Sequence, residues 1–339
     1  MNTCPRNSAA LSVLLALTVL VGALATGQPA RAADTVTLAL DWIVNGTHAG
    51  YFAALDQGWY KEEGLNVTIS RGFGSGDTVK RVGTKNVTFG VNDTGAMIGG
   101  RSRENIPVKA VYMVYGQAAL GLLYLEESGI RTPKDLEGRK VGRSAKGASV
   151  VMFPGFLFAN KLDRGKIEEV VVDGATFLPL LLSRRVDAVL EQSLHLGRFQ
   201  AQAKKQGLTV KPMRFADFGL VAYGNAVTAH DDTIKQNPEL IRRFLRATDK
   251  GLKWAFEHKQ DAIAIIRKNN PEVHLEWGLE ELEGLEALAW SPEAKKQGLG
   301  WIDRGKMAAT IETVTKALKL PRKVELDEIY ALDFHPAAK

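Results

Sequence analysis

Polar and aromatic side chains are concentrated in the segment DWIVNGTHAGYF at 41–52, which directly follows the apolar run VTLAL at 36–40. The segment supplies a carboxylate, an amide, an imidazole and two aromatic rings, from Asp41, Trp42, Asn45, His48 and Tyr51. Ligands of open α/β sheets bind beyond the carboxyl ends of the strands, so this segment is a candidate pocket wall. The alternative is local: Asn45 caps a helix, and Trp42 and Tyr51 pack in the core.

Motifs of the common catalytic sites are missing. The chain contains neither the GxxxxGK[ST] phosphate loop nor the HExxH zinc motif. Phe73 stands where the first glycine of a GxSxG nucleophile elbow would be. The single cysteine, Cys4, excludes a disulfide framework and any zinc site built on cysteine. A Ser-His-Asp triad is a spatial arrangement and stays open, but we do not expect an enzyme, and we expect no cofactor or metal.

Short apolar runs alternate with helical patterns along the chain. Strands are predicted at 36–40, 66–69, 87–91, 108–115, 140–144, 170–173, 186–192 and 208–213. Helices are predicted between them, over 50–58, 94–103, 149–161 and 176–183, and the last third is mostly helical. There, Pro238 after Asn237 opens an amphipathic helix, and Ser291 and Asp303 start two more. Strands separated by helices predict an α/β protein with mainly parallel sheets.

Composition sets the broad class. The 339 residues suggest about two domains, and 45% hydrophobic with 24% charged residues is ordinary for a globular protein. The formal net charge of +6 is a mild excess without a run of five or more like charges. We therefore expect no nucleic-acid partner.

The first 32 residues have the three parts of a secretory signal: Arg6, the apolar run at 9–25 and the small-residue site Ala30-Arg31-Ala32. We predict cleavage after about Ala32. The alternative, a membrane anchor, is disfavoured because the run is shorter than the roughly 20 residues that span a bilayer. Cys4 precedes the run, so a lipoprotein is not expected. A mature protein that is exported, lacks disulfides and does not span a membrane fits the bacterial periplasm.

Six segments together resemble the periplasmic solute-binding proteins of ABC importers, in the branch that binds thiamine-pyrimidine precursors and groups with the nitrate, taurine and sulfonate binders. The segments lie at 41–69, 74–93, 132–142, 184–192, 237–258 and 300–336. The opening segment and the helix that begins NPEL are specific for the family, and much less so for the ligand.

The resemblance implies a fold of two α/β lobes joined by two crossing segments, the type II arrangement, with the ligand in the cleft between them. The first lobe is then discontinuous, 33–122 and 222–339, and the second comprises 123–221. Ligand contacts from both lobes favour the closed form, which a membrane permease with its ATPase recognises.

The resemblance also implies ligand-binding residues in the first lobe. Trp42 matches an aromatic residue that flanks a flat ring, and Asn45 and His48 match an Asn-x-x-His pattern that hydrogen-bonds the ligand. Further candidates share a position in the opening segment, at a helix start, at a strand end or near the hinge: Tyr51, Ser75, Gly76, Asp77, Asn92, Asp93, Tyr115 and Tyr223. Several have a structural alternative. Ser75 to Asp77 either offer N–H groups to an anion or only cap a helix, Asp93 either accepts from an amino group or caps the next helix, and Tyr115 either stacks on the ligand or packs in the core.

In the second lobe, the segment from Ser144 through Gly147 to Ser149 follows a strand, opens a helix and is a second candidate cradle for an anion or carbonyl. Glu191 ends a predicted strand. Its carboxylate would accept from the amino group of an aminopyrimidine and would repel nitrate or sulfonate. The alternative for Glu191 is a surface ion pair with Arg184 or Arg185.

These residues favour capture of a small planar N-heterocycle similar to the thiamine pyrimidine precursor. The alternatives are a taurine, alkanesulfonate or nitrate binder, and a binder of riboflavin or another planar aromatic compound. Ile43 and Val44 stand where the family suggests a more polar or proline-containing pair, and Gly50-Tyr51 adds aromatic surface, which together favour a larger or different ligand. Eukaryotic relatives that make the pyrimidine carry a cysteine-rich iron-binding run, which this chain lacks.

Overall fold

The computed structural model describes Met1, residues 32–331 and residues 333–336. Apart from Met1 and Ala32, the predicted secretory segment lies outside the described residues, so it stays a prediction. From Asp34 onward the chain forms one unit built on two five-stranded sheets. The strands are β1 (Asp34–Ala39), β2 (Leu65–Ser70), β3 (Phe89–Asp93), β4 (Val108–Met113), β5 (Gly121–Leu125), β6 (Lys140–Arg143), β7 (Glu168–Val171), β8 (Ala188–Val189), β9 (Val210–Arg214) and β10 (Asn225–His230).

The two sheets repeat one pattern. The first has the order β2-β1-β3-β10-β4 and the second the order β7-β6-β8-β5-β9. In the first sheet β1 runs parallel to β2 and β3, and β10 runs antiparallel to β3 and β4. In the second, β6 runs parallel to β7 and β8, and β5 runs antiparallel to β8 and β9. One strand in each sheet therefore opposes the others, which confirms a mainly parallel α/β fold.

Helices connect the strands and form the last third of the chain, as the hydrophobic pattern predicts. They are α1 (Ala49–Asp56), α2 (Trp59–Glu62), α3 (Ser75–Gly83), α4 (Thr94–Glu104), α5 (Ala148–Ala159), α6 (Phe177–Leu182), α7 (Leu196–Lys204), α8 (Asp231–Gln236), α9 (Pro238–Glu257), α10 (Lys259–Asn269), α11 (Leu275–Ala289), α12 (Pro292–Gln297) and α13 (Arg304–Ala317). None of these described helices is both long and apolar enough to cross a bilayer.

The amphipathic helix α9 anchors the core behind the first sheet. Its buried face includes Ile241, Phe244 and Leu252. The Phe244 ring stacks on Tyr60 and Phe89 with centroid distances of 5.3 and 4.1 Å. Burying such rings supplies much of the favourable free energy of folding, because apolar area is removed from water. Pro238 is the first helical residue as predicted, but the Asn237 side chain makes no cap hydrogen bond.

Two crossing segments, 114–120 and 215–224, join the sheets. The chain passes from the first sheet to the second after Met113 and returns before Asn225. The segments are bonded to each other: the Ala118 N–H donates to the Ala222 carbonyl at 2.9 Å, and the Gly224 N–H to the Tyr115 carbonyl at 3.1 Å. The predicted lobe boundaries, 122/123 and 221/222, lie near these transitions, the first inside β5. The division into lobes stays a prediction.

Candidate ligand-binding site

A small cavity lies where the loops of the first sheet meet those of the second. Its volume is about 20 Å³, room for about one water molecule. The wall from the first sheet is formed by the loop after β1 and the start of α3, and the wall from the second by the start of α5 and the residues after β8. The lining residues are Asp41, Trp42, Ser75, Gly147, Ala148, Ser149, Leu190, Glu191 and Gln192. Five predicted site residues thus meet at one place: Trp42, Ser75, Gly147, Ser149 and Glu191.

Asp41 is held by two partners at the end of β1. Its Oδ1 lies 2.9 Å from His48 Nε2, and its Oδ2 accepts from Asn225 Nδ2 at 2.8 Å. His48 Nδ1 accepts from the backbone N–H of Asn45 at 3.2 Å, so the imidazole proton is on Nε2 and is donated to Asp41. Burial opposes ionisation of Asp41, but the hydrogen bonds of His48 and Asn225 outweigh it and lower the pKa of the carboxyl. The cavity therefore has an ionised carboxylate on the first wall.

Asn45 caps the 3-10 turn Gly46–His48, and its amide is used inside the protein. Its Oδ1 accepts from the Thr47 N–H at 2.9 Å and from Thr47 Oγ1 at 2.7 Å. Its Nδ2 donates to the Ile43 carbonyl at 3.1 Å and lies 3.3 Å from His195 Nε2. The structure thus agrees with the predicted capping interpretation, and ligand contact by Asn45 and His48 stays a prediction.

Trp42 reaches from the first sheet to the second. Its ring centroid lies 6.5 Å from that of Phe177, at the start of α6, with the planes tilted by 36°. A Cβ atom at Gly174 would come within 2.4 Å of ring atom Cζ2, so the indole lies directly against the Gly174 backbone. The ring is half-buried and lines the cavity. One part of the indole is therefore available to a ligand. Another part packs against Gly174 and Phe177 beside the second sheet.

Polar groups at the start of α3 are bonded to the opposite wall of the cavity. The Gly76 N–H donates to the Lys146 carbonyl at 3.2 Å, and Asp77 Oδ1 lies 3.0 Å from Lys146 Nζ. Ser75 Oγ accepts from the Asp93 N–H at 3.0 Å. Gly74 has φ of 114°, and a Cβ there would approach the Lys146 carbonyl within 2.4 Å, so the close approach of the two walls requires glycine. In this closed arrangement a backbone carbonyl occupies the predicted anion cradle at Ser75, Gly76 and Asp77.

The start of α5 forms much of the second wall. Ser144 Oγ accepts from the Gly147 N–H at 3.0 Å, and Ser149 Oγ accepts from the Gly121 N–H at 3.2 Å. Ser144 thus fixes the turn before the helix, and Ser149 ties the helix to the first residue of β5. Both hydroxyls therefore accept hydrogen bonds from within the protein. The role of Ser144, Gly147 and Ser149 in ligand binding stays a prediction.

Glu191 is buried on the cavity wall after β8, with 4% of its surface exposed. Its Oε1 accepts from the Gln192 N–H at 2.9 Å and lies 2.9 Å from His195 Nδ1, off the ideal hydrogen-bond direction. Its Oε2 has no hydrogen-bond partner among the described residues. Burial opposes ionisation, but the nearby His195 and Arg198 and the N–H of Gln192 lower the pKa of Glu191. The alternative of a surface ion pair with Arg184 or Arg185 is wrong, because the carboxylate points inward.

Asp93 and Asn92 end β3 and face different partners. Asp93 Oδ1 caps α4, accepting from the N–H groups of Gly95 at 2.9 Å and Ala96 at 3.3 Å. Its Oδ2 has no partner among the described residues, and burial raises the pKa of Asp93 to about 7. Asn92 Nδ2 donates to Thr228 Oγ1 on β10 at 2.6 Å. Neither residue lines the cavity as it stands.

The three predicted tyrosines are buried. The Tyr51 hydroxyl has no partner among the described residues, and burial raises the pKa of both Tyr51 and Tyr115. The Tyr223 hydroxyl accepts from the Asp303 N–H at 3.0 Å, at the start of α13. Tyr223 thus braces the second crossing segment, and the ring lies outside the cavity lining.

Sequence reasoning did not single out His195, Asn225 or Glu281. His195 follows Glu191 by four positions, and this Glu-x-x-x-His spacing is the one local signal for it. Burial opposes protonation of His195, but Glu191 and Glu281 outweigh it and raise its pKa. Glu281 on α11 accepts from the Gly46 N–H at 2.8 Å. Over Met1, 32–331 and 333–336, no three His, Cys, Asp or Glu side chains form a metal-binding group.

The two mixed sheets and the cavity between their loops define the fold of periplasmic binding proteins. The alkanesulfonate-binding protein SsuA of Xanthomonas axonopodis, bound to MOPS, aligns over 88% of this chain and 98% of its own with a TM-score of 0.66 and 10% identity. The chain matches the family model described as NMT1/THI5 like over residues 45–262, and it belongs to that family. This confirms the predicted resemblance.

The names of the relatives describe different ligands and activities. The riboflavin-binding protein RibY of Chloroflexus aurantiacus is 27% identical over 89% of this chain and 86% of its own. The formylaminopyrimidine-binding protein of Halalkalibacterium halodurans is 24% identical over 78% of this chain and 79% of its own. A Legionella pneumophila relative, 24% identical over 70% of this chain and 74% of its own, is a 4-amino-5-hydroxymethyl-2-methylpyrimidine phosphate synthase. The family thus contains both binding proteins and enzymes.

Proposed function

We propose that the protein is the solute-binding component of an ABC importer and captures a small planar N-heterocycle, similar to the thiamine pyrimidine precursor, between its two sheets. The observation that carries the proposal is Glu191, a buried carboxylate on the cavity wall whose Oε2 has no hydrogen-bond partner in the described part of the chain. The amino group and protonated ring nitrogen of an aminopyrimidine donate to such an oxygen. The formylaminopyrimidine-binding relative supports the same ligand class.

The ligand enters when the two walls separate. A cavity of about 20 Å³ is far smaller than a ligand pocket of a few hundred Å³. We propose that lobes 33–122 with 222–339 and 123–221 open about the crossing segments and close on the ligand, and that the closed form delivers it to a membrane permease and its ATPase. Secretion to the periplasm after removal of residues 1–32 belongs to this proposal.

A second candidate function is binding of taurine, an alkanesulfonate or nitrate. The start of α5 lines the cavity with Gly147, Ala148 and Ser149, and helix starts attract anions. The ionised carboxylates of Asp41 and Glu191 line the same cavity and would repel an anion. The heterocycle is therefore the better match.

Riboflavin is a third candidate, favoured by the relative RibY and by the partly exposed Trp42 ring, which could stack on a flavin. A catalytic role is the remaining alternative, because relatives include synthases. We propose binding without turnover. Recovery of unmodified ligand after long incubation supports binding, and a product of new mass would overturn it.

A thermal-unfolding screen tests the proposal. The panel contains 4-amino-5-hydroxymethyl-2-methylpyrimidine, formylaminopyrimidine, riboflavin, taurine, an alkanesulfonate and nitrate. A ligand at 100 times its Kd adds about 2.7 kcal/mol to the free energy of unfolding, which raises Tm by several degrees. A shift with a pyrimidine supports the proposal, a shift with riboflavin alone moves the ligand to the flavin class, and a shift with anions alone overturns the assignment of Glu191.

A further inference from the structure

A buried polar chain joins the two walls of the cavity. It runs from Asp41 to His48, from His48 to the backbone of Asn45, and from the Asn45 side chain to His195 and Glu191. Asn45 belongs to the loop after β1 of the first sheet, and His195 to the turn Ser193–His195 after β8 of the second. All five side chains are buried, with at most 9% of any one exposed. The contact between Asn45 and His195 is the point at which the chain crosses between the walls.

The polarity of this contact is fixed by the neighbours of Asn45. Two Thr47 donors hold Oδ1, and the Ile43 carbonyl accepts from Nδ2, so the amide cannot rotate by half a turn without losing all three bonds. Nδ2 therefore faces His195 Nε2 at 3.3 Å, and that nitrogen must accept. The imidazole proton then lies on Nδ1, which is 2.9 Å from Glu191 Oε1 but off the ideal hydrogen-bond direction. This leaves Oε2 as the carboxylate oxygen without a hydrogen-bond partner over the residues that the structure describes.

We propose that Asn45 and His195 are positioning residues that latch the walls of the cavity together and fix which oxygen of Glu191 the ligand meets. The latch is inferred from the geometry alone, whereas its effect on affinity depends on the proposed function. Charged groups around His195 are Glu191, just before its turn, Arg198 on α7 and Glu281 on α11. The latch requires the singly protonated imidazole, which alkaline pH favours.

The first test measures closure without ligand. Spin labels are attached to Lys61→Cys on α2 and Lys204→Cys on α7, both exposed, in the full chain with Cys4→Ser. Pulsed electron paramagnetic resonance at about pH 8.5 measures the distance between the two labels. The parent should give a single distance distribution that is short and narrow. His195→Leu and Asn45→Ser, in which serine still caps the turn but is too short to reach His195, should give longer and broader distributions.

Matched variants separate hydrogen bonding from packing. In His195→Gln the side-chain amide can accept from Asn45 and donate to Glu191, so the parent distance should return. His258→Leu removes an exposed histidine that stacks on Trp254, and should also leave the distance unchanged. Parent-like distances in both His195→Leu and Asn45→Ser would overturn the latch, as would His195→Gln opening as far as His195→Leu.

The second test uses whichever panel ligand binds. Each of Asn45→Ser and His195→Leu should weaken affinity about three- to tenfold, the worth of one hydrogen bond, and the double variant no more than either alone. Additive losses would overturn the coupling to Glu191. If no panel ligand binds the parent, the proposed function fails, whereas the ligand-free distances still decide the latch.

Discussion

The indole of Trp42 lies against the backbone of Gly174, so that a Cβ at position 174 would come within 2.4 Å of ring atom Cζ2. Trp42 follows β1 of the first sheet, and Gly174 precedes α6 beside the second. Contact between these two residues therefore joins the two walls of the cavity. It also means that the predicted stacking residue already has a protein partner when the walls are together.

Replacing Gly174 with alanine should force the Trp42 ring to move. We expect Gly174→Ala to lower the free energy of unfolding by about 1–3 kcal/mol, the usual cost of overpacking. Chemical denaturation measures this. Gly99→Ala is the control, because Gly99 lies in α4 and a Cβ there makes only ordinary contacts, the nearest at 3.6 Å. Equal stability of Gly174→Ala and the parent would mean that the Trp42 ring can move away from position 174 at no cost in the free energy of unfolding.

Removing the Trp42 ring should weaken ligand binding. We expect Trp42→Ala to cost about 1–3 kcal/mol of binding free energy with a pyrimidine or flavin, a typical loss of aromatic stacking. Isothermal titration calorimetry measures the change. Trp59→Ala removes an indole that packs on Trp254, with 6.0 Å between centroids, and should leave affinity unchanged. Unaltered affinity in Trp42→Ala would remove this residue from the site.

Most of the fold could be predicted because periodicity and turn residues are local signals. The two antiparallel strands, β5 and β10, are not among the predicted strands. The strand predicted at 186–192 is too long, because its paired part is only Ala188–Val189. Leu190 still donates its N–H to the Gly142 carbonyl at 2.8 Å, and the chain then leaves the sheet to form the cavity wall. An apolar run shows where a strand passes through the core, but not where its last residues turn away.

From the residue types alone, contacts within the site could be predicted only where the residues are close in sequence. Asp41, Asn45 and His48 lie within one short segment and do bond to one another. Asn225 bonds Asp41 across 184 positions and His195 meets Asn45 across 150, and one sequence carries no information on such pairs. The contact of the Lys146 carbonyl with the start of α3 could not be predicted either, because every residue type has a backbone carbonyl.

Glu191→Gln should separate the two ligand classes. Glutamine keeps the size of the side chain but loses the charge, so an aminopyrimidine should bind at least tenfold more weakly, as expected for a charge-assisted hydrogen bond. A sulfonate or nitrate should bind as before or better. Titration of both ligands against parent and variant measures this, with Glu283→Gln, an exposed glutamate on α11, as the control. Weaker binding of the anion in Glu191→Gln would contradict our assignment.

Asp93 should make stability depend on pH. Burial raises the pKa of this carboxyl from 3.8 to about 7 in the folded protein, so the folded state holds the proton more tightly than the unfolded chain. Between these two values stability should fall as pH rises, because ionisation then costs more in the folded state. The loss should be complete above about pH 7 and amount to at most about 4 kcal/mol.

Asp93→Asn removes this cost while keeping Oδ1 to cap α4 through Gly95 and Ala96. We expect the variant to gain in Tm relative to the parent as pH rises from about 4 to 7, with little further gain above about pH 7. Calorimetry across this range measures it. Asp163→Asn changes an exposed cap, whose Oδ1 accepts from the Gly165 N–H at 2.9 Å, and should show no such trend. If Asp93→Asn and the parent kept a constant difference in Tm across the range, Asp93 would be ionised in the folded protein, and its buried Oδ2 would need a partner that burial alone does not supply.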